Sequence, residues 1–201
     1  MALNVGIFIF DQVEVLDFAG PFEVFTTASR MHLRAAPTEP APYRPFLIAE
    51  TDKPIAARGN FRVLPEKNIG DIPGIDILLI PGGPVDEQLN NSKVISWIKR
   101  TSESAEIVAS VCTGSFFLAK AGLLKGLKAT THWEDIPDFA AAFPEVTVLR
   151  DQRWVEQGHI LTSAGISAGI DMSLHIVRQT MGEALALKTA RQMEYRWVDA
   201  N

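Results

Sequence analysis

Glu106-Ile107-Val108-Ala109-Ser110-Val111-Cys112-Thr113-Gly114, continued by residues 115–121 and Gly122, is the stretch from which the fold is read. Residues 106–111 form a strand-length run rich in apolar residues, which suits a strand buried on both faces of a parallel sheet. A sharp turn at 112–114 leads into a helical run over 115–121, and Gly122 fits its C-terminal cap. Upstream, residues 76–80 repeat the strand pattern and end in Pro81-Gly82-Gly83-Pro84, with a helix predicted over 93–103. Downstream come a short helix near 134–142, strand-like pieces at 146–150, 153–157 and 159–162, and helices over 168–181 and 183–195. The N-terminal part opens with an apolar strand over 3–10, a polar turn over 11–14, and a helix over 21–30 with Pro21 at its first position. Pro37, Pro40 and Pro42 mark a loop before a strand over 45–50. Residues 55–63 read as a β-hairpin with Gly59-Asn60 at its tip. Alternating strands and helices predict an α/β fold whose mostly parallel central sheet is sandwiched by helices. With no internal repeat or linker, residues 1–201 are expected to form a single domain.

Composition narrows the function. The chain has 201 residues, 47% of them hydrophobic, and a net charge of −5, which suits a compact domain and disfavours nucleic-acid binding. Its lysines and arginines are scattered, and the one short cluster, Lys120 to Lys128, holds three lysines. The apolar opening is too short and lacks the basic leader of a signal peptide, and no run approaches the roughly 20 residues of a membrane span. A single cysteine excludes an intrachain disulfide and fits a cytoplasmic setting.

Ligands of open parallel sheets bind beyond the carboxyl ends of the strands, and three turns are expected there: 11–18, 81–84 and 112–114. Cys112, between strand and helix, occupies the position of a nucleophile elbow. The helix N-terminus behind it is expected to lower the thiol pKa. A lone cysteine is ordinarily a small core residue, but its place at the turn reverses that preference. Asp17 lies on the first strand-to-helix turn, as a helix cap or as a carboxylic acid exchanging a proton near Cys112. Glu14 is the rival acid, expected to be more solvated. Gly82-Gly83 permit close approach, so the Gly83 and Thr113 N–H groups are expected to converge as an oxyanion hole. A plain turn would explain Pro-Gly-Gly equally well. His132, beside Trp133, is a base for Cys112 or a pocket wall. His32, His159 and His175 show no metal-ligand spacing, so neither a metal nor another cofactor is expected. Residues 165–169 lack the dinucleotide pattern and read as a strand-to-helix turn, with Ser167 as candidate N-cap and Asp171 favoured by the helix dipole.

Asp17-Phe18-Ala19-Gly20-Pro21-Phe22-Glu23, Leu79-Ile80-Pro81-Gly82-Gly83, Val111-Cys112-Thr113-Gly114, Thr131-His132-Trp133 and the run from Ala164 to Asp171 occur in an order that resembles the ThiJ/PfpI superfamily. The resemblance spans residues 3 to about 181 and implies a flavodoxin-like fold of the class I glutamine-amidotransferase type. Cys-Thr-Gly together with Leu-Asp-Phe-Ala-Gly-Pro is similar to the isonitrile hydratase branch. That resemblance implies Cys112 as nucleophile, Asp17 as acid/base and Thr113 as a helper beside the sulfur, with Gly82, Gly83, His132, Trp133 and Gly165 around the substrate. The implied reaction is thiolate attack on the isonitrile carbon with Asp17 supplying a proton, then hydration of a thioimidate by water that the same carboxylate activates, giving an N-substituted formamide. Peptidase-like members carry histidine directly after the cysteine; Thr113 stands here, which speaks against proteolysis. The domain also serves as the sensor half of AraC-type regulators, but about 20 residues after Met181 are too few for a DNA-binding domain, so a stand-alone enzyme is expected. Alternatives are glyoxalase- or deglycase-like chemistry on small α-oxoaldehydes, a cysteine redox sensor, or a ligand-binding module without turnover. The expected partners are a small-molecule substrate and a second copy of the chain in a homodimer, with residues 183–195 as candidate interface; nucleic acid and membrane are not expected.

Overall fold

A computed structural model describes residues 2–198. In chain order the elements are β1 (Leu3–Phe8), α1 (Val15–Ala35), β2 (Tyr43–Ala49), β3 (Ile55–Ala57), β4 (Phe61–Val63), β5 (Lys67–Asn68), β6 (Ile77–Ile80), α2 (Asp86–Leu89), α3 (Ser92–Ser102), β7 (Ile107–Val111), α4 (Gly114–Lys120), β8 (Lys128–Ala129), α5 (Ile136–Ala142), β9 (Thr147–Val148), β10 (Trp154–Gln157), β11 (Ile160–Ser163), α6 (Ala168–Met181) and α7 (Glu183–Gln192). Seven strands form the main sheet in the order β10-β11-β7-β6-β1-β2-β5. Every pairing in it is parallel except β10 with β11. The apolar runs that predict two-sided burial behave accordingly: all four residues of β6 are buried, as are Val108 to Val111 of β7. The helices pack in two groups, α1 with α6 and α7, and α3 with α2 and α4.

The chain leaves β1 toward β2 on one side and returns to β6 on the other, so a topological switch point lies between β1 and β6. Their carboxyl ends, with that of β7, bring residues 11–17, 81–84 and 112–114 together, where such sheets bind ligands. Below this edge Phe8, Phe10, Trp97 and Phe117 interlock with ring centroids 5.4 to 6.2 Å apart.

Three sequence-based expectations need correction. Helix α1 begins at Val15, not near Pro21, which sits inside the helix and leaves the Asp17 carbonyl without its i+4 donor. Burial of Phe18, Val24, Phe25 and Ala28 holds the helix through this lesion. Strand β2 starts at Tyr43, two residues before Pro45; only Ile48 and Ala49 pair with β5, so the missing Pro45 N–H costs no ladder bond on that side. The last helix ends at Gln192 rather than near Tyr195. The hairpin stands as read, with Gly59 and Asn60 both at positive φ (67° and 62°) between paired Ala57 and Phe61. Gly122, at φ 81°, follows the end of α4 in the capping conformation.

Helix α4 starts close against β6. A Cβ at Gly114 would overlap the Ile80 carbonyl oxygen, and backbone on both sides cannot yield. Gly114→Ala is therefore expected to destabilise the protein by about 2–3 kcal/mol, read as a lower urea midpoint at unchanged m-value.

Candidate active site

Cys112 follows β7 directly at φ 56°, a left-handed conformation that a non-glycine residue adopts only when its surroundings impose it. The surroundings here are specific. The Cys112 N–H donates to the Ser163 and Ala164 carbonyls at 3.2 and 3.3 Å, and its carbonyl accepts from Thr131 Oγ1 at 3.0 Å. The Ser115 hydroxyl and N–H also point to that carbonyl, at 3.3 and 3.4 Å. The strained turn is thus pinned from β11, from the Thr131 segment and from α4, and it presents the sulfur at a cavity of about 350 Å³.

The turn after β6 links the other parts. The Gly82 N–H donates to Asp17 Oδ2 at 3.0 Å, and the Gly83 N–H donates to Thr113 Oγ1 at 2.9 Å. The Thr113 hydroxyl donates back to the Gly83 carbonyl at 2.7 Å, and the Glu14 N–H donates to the Gly82 carbonyl at 2.9 Å. A Cβ on Gly82 would lie 2.6 Å from both the nitrogen and Oγ1 of Thr113, so only glycine lets the two turns approach this closely. These bonds correct the expected oxyanion hole. The Gly83 N–H is already committed to Thr113, while the Thr113 N–H is directed to the Cys112 sulfur.

Asp17 is completely buried, in the first turn of α1, where the expected capping role is absent because Glu14 occupies the N-cap position. Its Oδ1 has no hydrogen-bond partner among the described residues. Desolvation pushes its pKa up to about 7, with the Glu14 charge adding to the rise and the Gly82 N–H opposing it. The Cys112 thiol does not follow the expectation of a lowered pKa. Burial, and then the nearby Asp17 carboxylate, push it up to about 12, and the bond from the Thr113 N–H only partly offsets them. The two groups titrate as a pair, because ionising either disfavours ionising the other.

The cavity wall differs from the expected set. Cys112, Thr113, Gly83 and His132 line it; Asp17, Gly82, Trp133 and Gly165 do not. His132 makes no hydrogen bond to Cys112; its Nδ1 lies 3.3 Å from Asp135 Oδ2 and accepts weakly from the Glu134 N–H at 3.4 Å. Gly165 backs its ring, since a Cβ there would overlap His132 Cδ2. Trp133 is 73% exposed and borders a separate cavity of about 220 Å³ with Thr130, Thr131 and Arg150. Glu14 is far less solvated than expected: its side chain is 24% exposed, lines the Cys112 cavity and pairs with Arg58 Nε at 3.6 Å. Sequence reasoning missed Arg58, Asp135 and Ile166, also in the wall. Desolvation raises the Asp135 pKa against the lowering effect of His132. Asp171 is buried and paired with Arg153, and its Oδ1 accepts from the Val198 N–H at 2.9 Å.

A switch-point cysteine on a strained strand-to-helix turn, beside a buried carboxylic acid, defines a doubly wound α/β domain of the nucleophile-elbow kind. The chain belongs to the DJ-1/PfpI family, whose model matches residues 4–179. It is 31% identical over 198 residues to an isonitrile hydratase of Pseudomonas putida, covering 97% of this chain and 79% of that protein. It is 27% identical over 178 residues to the HTH-type transcriptional regulator CdhR of Pseudomonas aeruginosa, covering 89% of this chain and about half (51%) of the regulator. Among solved structures, a ThiJ/PfpI family protein from Pseudomonas syringae superposes with a TM-score of 0.84 at 24% identity, covering 97% of this chain and 76% of that one. The relatives include both an enzyme and a regulator. Among the described residues, no helix is long and apolar enough to cross a membrane.

The raised Asp17 pKa ties stability to pH. An unfolded aspartate ionises near 4, whereas Asp17 in the fold ionises near 7, so between these values the folded state holds a proton that the unfolded state has lost. Stability at this site is fully present below pH 4 and is lost as pH rises from there through 7, by on the order of 4 kcal/mol. Asp17→Asn keeps the side-chain acceptor for the Gly82 N–H and removes the ionisation. It is expected to melt above the native protein at pH 8, with the gap closing toward pH 4. Identical melting curves at pH 8 would show that the Asp17 carboxylate is tolerated without cost.

Proposed function

We propose that the protein is an isonitrile hydratase-like enzyme that adds water to an isonitrile and releases an N-substituted formamide. One observation carries the proposal: a carboxylic acid that gains and loses its proton near pH 7 is buried beside the only thiol of the chain. The sequence likeness to an isonitrile hydratase over most of both chains supports the substrate class.

A thiol raised to about 12 is protonated at neutral pH, so its attack needs a base at the moment of bond formation. Asp17, as carboxylate, takes the thiol proton while the sulfur bonds to the terminal carbon of the isonitrile. The same proton then passes to that carbon, giving the thioimidate R–N=CH–S–Cys112. Isonitrile carbon is both electrophile and, once sulfur has added, a site of negative charge. A group that accepts and returns a proton within one encounter therefore suits it better than a strong base or a strong acid. Thr113, tied to Gly83 by two hydrogen bonds, holds its N–H on the sulfur and steadies the thiolate as it forms and leaves. In the same proposal the protein is a homodimer.

Purified protein incubated with cyclohexyl isonitrile is expected to release N-cyclohexylformamide, detected by chromatography. Cys112→Ala is expected to release none, and Asp17→Asn to be slower by about 100-fold or more. Formamide from Cys112→Ala at the native rate would remove the cysteine from the reaction, and no formamide from the native protein would remove the reaction.

A further inference from the structure

We propose that Glu14, not Asp17, is the general base that activates water against the thioimidate, which divides the two half-reactions between two carboxylates. This inference rests on the isonitrile reading above. Its ground is the placement of the two acids. Asp17 is completely buried and absent from the cavity wall, so it serves the sulfur and the carbon attached to it. A water entering from solvent meets the wall, and there Glu14 stands in the same cavity as Cys112.

Glu14 is also held in place. Its backbone N–H is bonded to the Gly82 carbonyl, one residue from the Gly83 that grips Thr113. Its Oε2 pairs with Arg58 at 3.6 Å, and among the described residues no hydrogen bond occupies Oε1. Arg58 is itself fixed by three bonds that fasten the hairpin to the turn after β1. The Arg58 N–H donates to the Val13 carbonyl at 3.0 Å, the Gln12 N–H to the Ala56 carbonyl at 2.8 Å, and the Ala56 N–H to Asp11 Oδ1 at 2.7 Å. The other carboxylates of the wall are placed differently. Asp135 is engaged by His132, and the Glu134 side chain is 65% exposed.

The step balances without any added reagent. The water oxygen bonds to the thioimidate carbon, the C=N π pair moves to nitrogen, and Glu14 takes one water proton and delivers it to that nitrogen. In the resulting R–NH–CH(OH)–S–Cys112 the C–S bond breaks with its electron pair to sulfur. The hydroxyl proton passes through Asp17 to the sulfur, which leaves R–NH–CHO and the free thiol.

The test separates the two halves. Native protein and Glu14→Gln are mixed with cyclohexyl isonitrile and quenched at intervals, with adduct on Cys112 read by intact-protein mass and formamide by chromatography. Glu14→Gln is expected to form the adduct, accumulate it, and release formamide about 100-fold more slowly than the native protein. Glu14→Ala is expected to stall likewise and to be relieved by added formate, a small carboxylate that fits the space vacated; a merely structural loss would not respond. Native formamide release from Glu14→Gln, or failure of that variant to form adduct, overturns the assignment while leaving the hydratase reading intact. Neither adduct nor formamide from the native protein overturns the hydratase reading itself.

Discussion

The site depends on how two adjacent backbone N–H groups are spent. The turn after β6 sends the Gly82 N–H to the Asp17 carboxyl and the Gly83 N–H to the Thr113 hydroxyl. One peptide unit therefore spaces the Asp17 carboxyl from Thr113, the neighbour of Cys112. The same turn accepts a bond from the Glu14 N–H, so the first turn of α1 is registered on it as well. Three strands that meet at the switch point contribute one segment each, and the Gly82-Gly83 peptide is their common contact. A Cβ at Gly82 would force the segments apart by more than a side-chain rotation can absorb.

Burial then sets the chemistry. Among the described residues no cation acts on Asp17 or Cys112, and desolvation is the largest influence on both, in the same direction. A carboxyl group moved to about 7 is a better base than an ordinary aspartate and remains a usable acid. The cost falls on Cys112, whose thiolate is disfavoured by the same dry surroundings and by the Asp17 charge. The pair suits proton transfer coupled to bond formation in the proposed reaction. Helix α4 has only seven residues, and what its start offers the sulfur comes from the N-cap Thr113, through its N–H and its side chain.

Most of the fold is legible in the sequence because its determinants are local. Residues 77–80 are apolar and 107–111 nearly so, with no helical period, and each run is followed by a glycine-containing turn and a helix, which is enough to order a parallel sheet. The left-handed Cys112 is implied by a strand that must turn sharply into a helix. What local pattern does not carry is which groups share a wall. Pro21 suggests a helix start by its usual preference, yet core burial of Phe18 and Val24 carries the helix six residues further upstream. Arg58 reads as the flank of a hairpin tip. Only the docking of that hairpin on residues 11–13, through bonds between segments 44 or more positions apart in sequence, brings it to the cavity. Trp133 and His132 are neighbours in sequence but face different cavities, because the 3-10 turn at Trp133–Asp135 rotates them apart.

The contrast between the two acids follows from this geometry. Asp17 lies three residues into α1, on the face turned to the sheet, where water is excluded. Glu14 is the last extended residue before the helix, at φ −67° and ψ 124°, and its side chain leaves toward the cavity instead. One turn of backbone thus separates a carboxyl shielded from solvent from one that meets it. Proton exchange with a sulfur benefits from the first environment, since competing water would capture the proton. Activation of water requires the second. A single carboxylate cannot occupy both, and a helix that starts at Val15 supplies one for each.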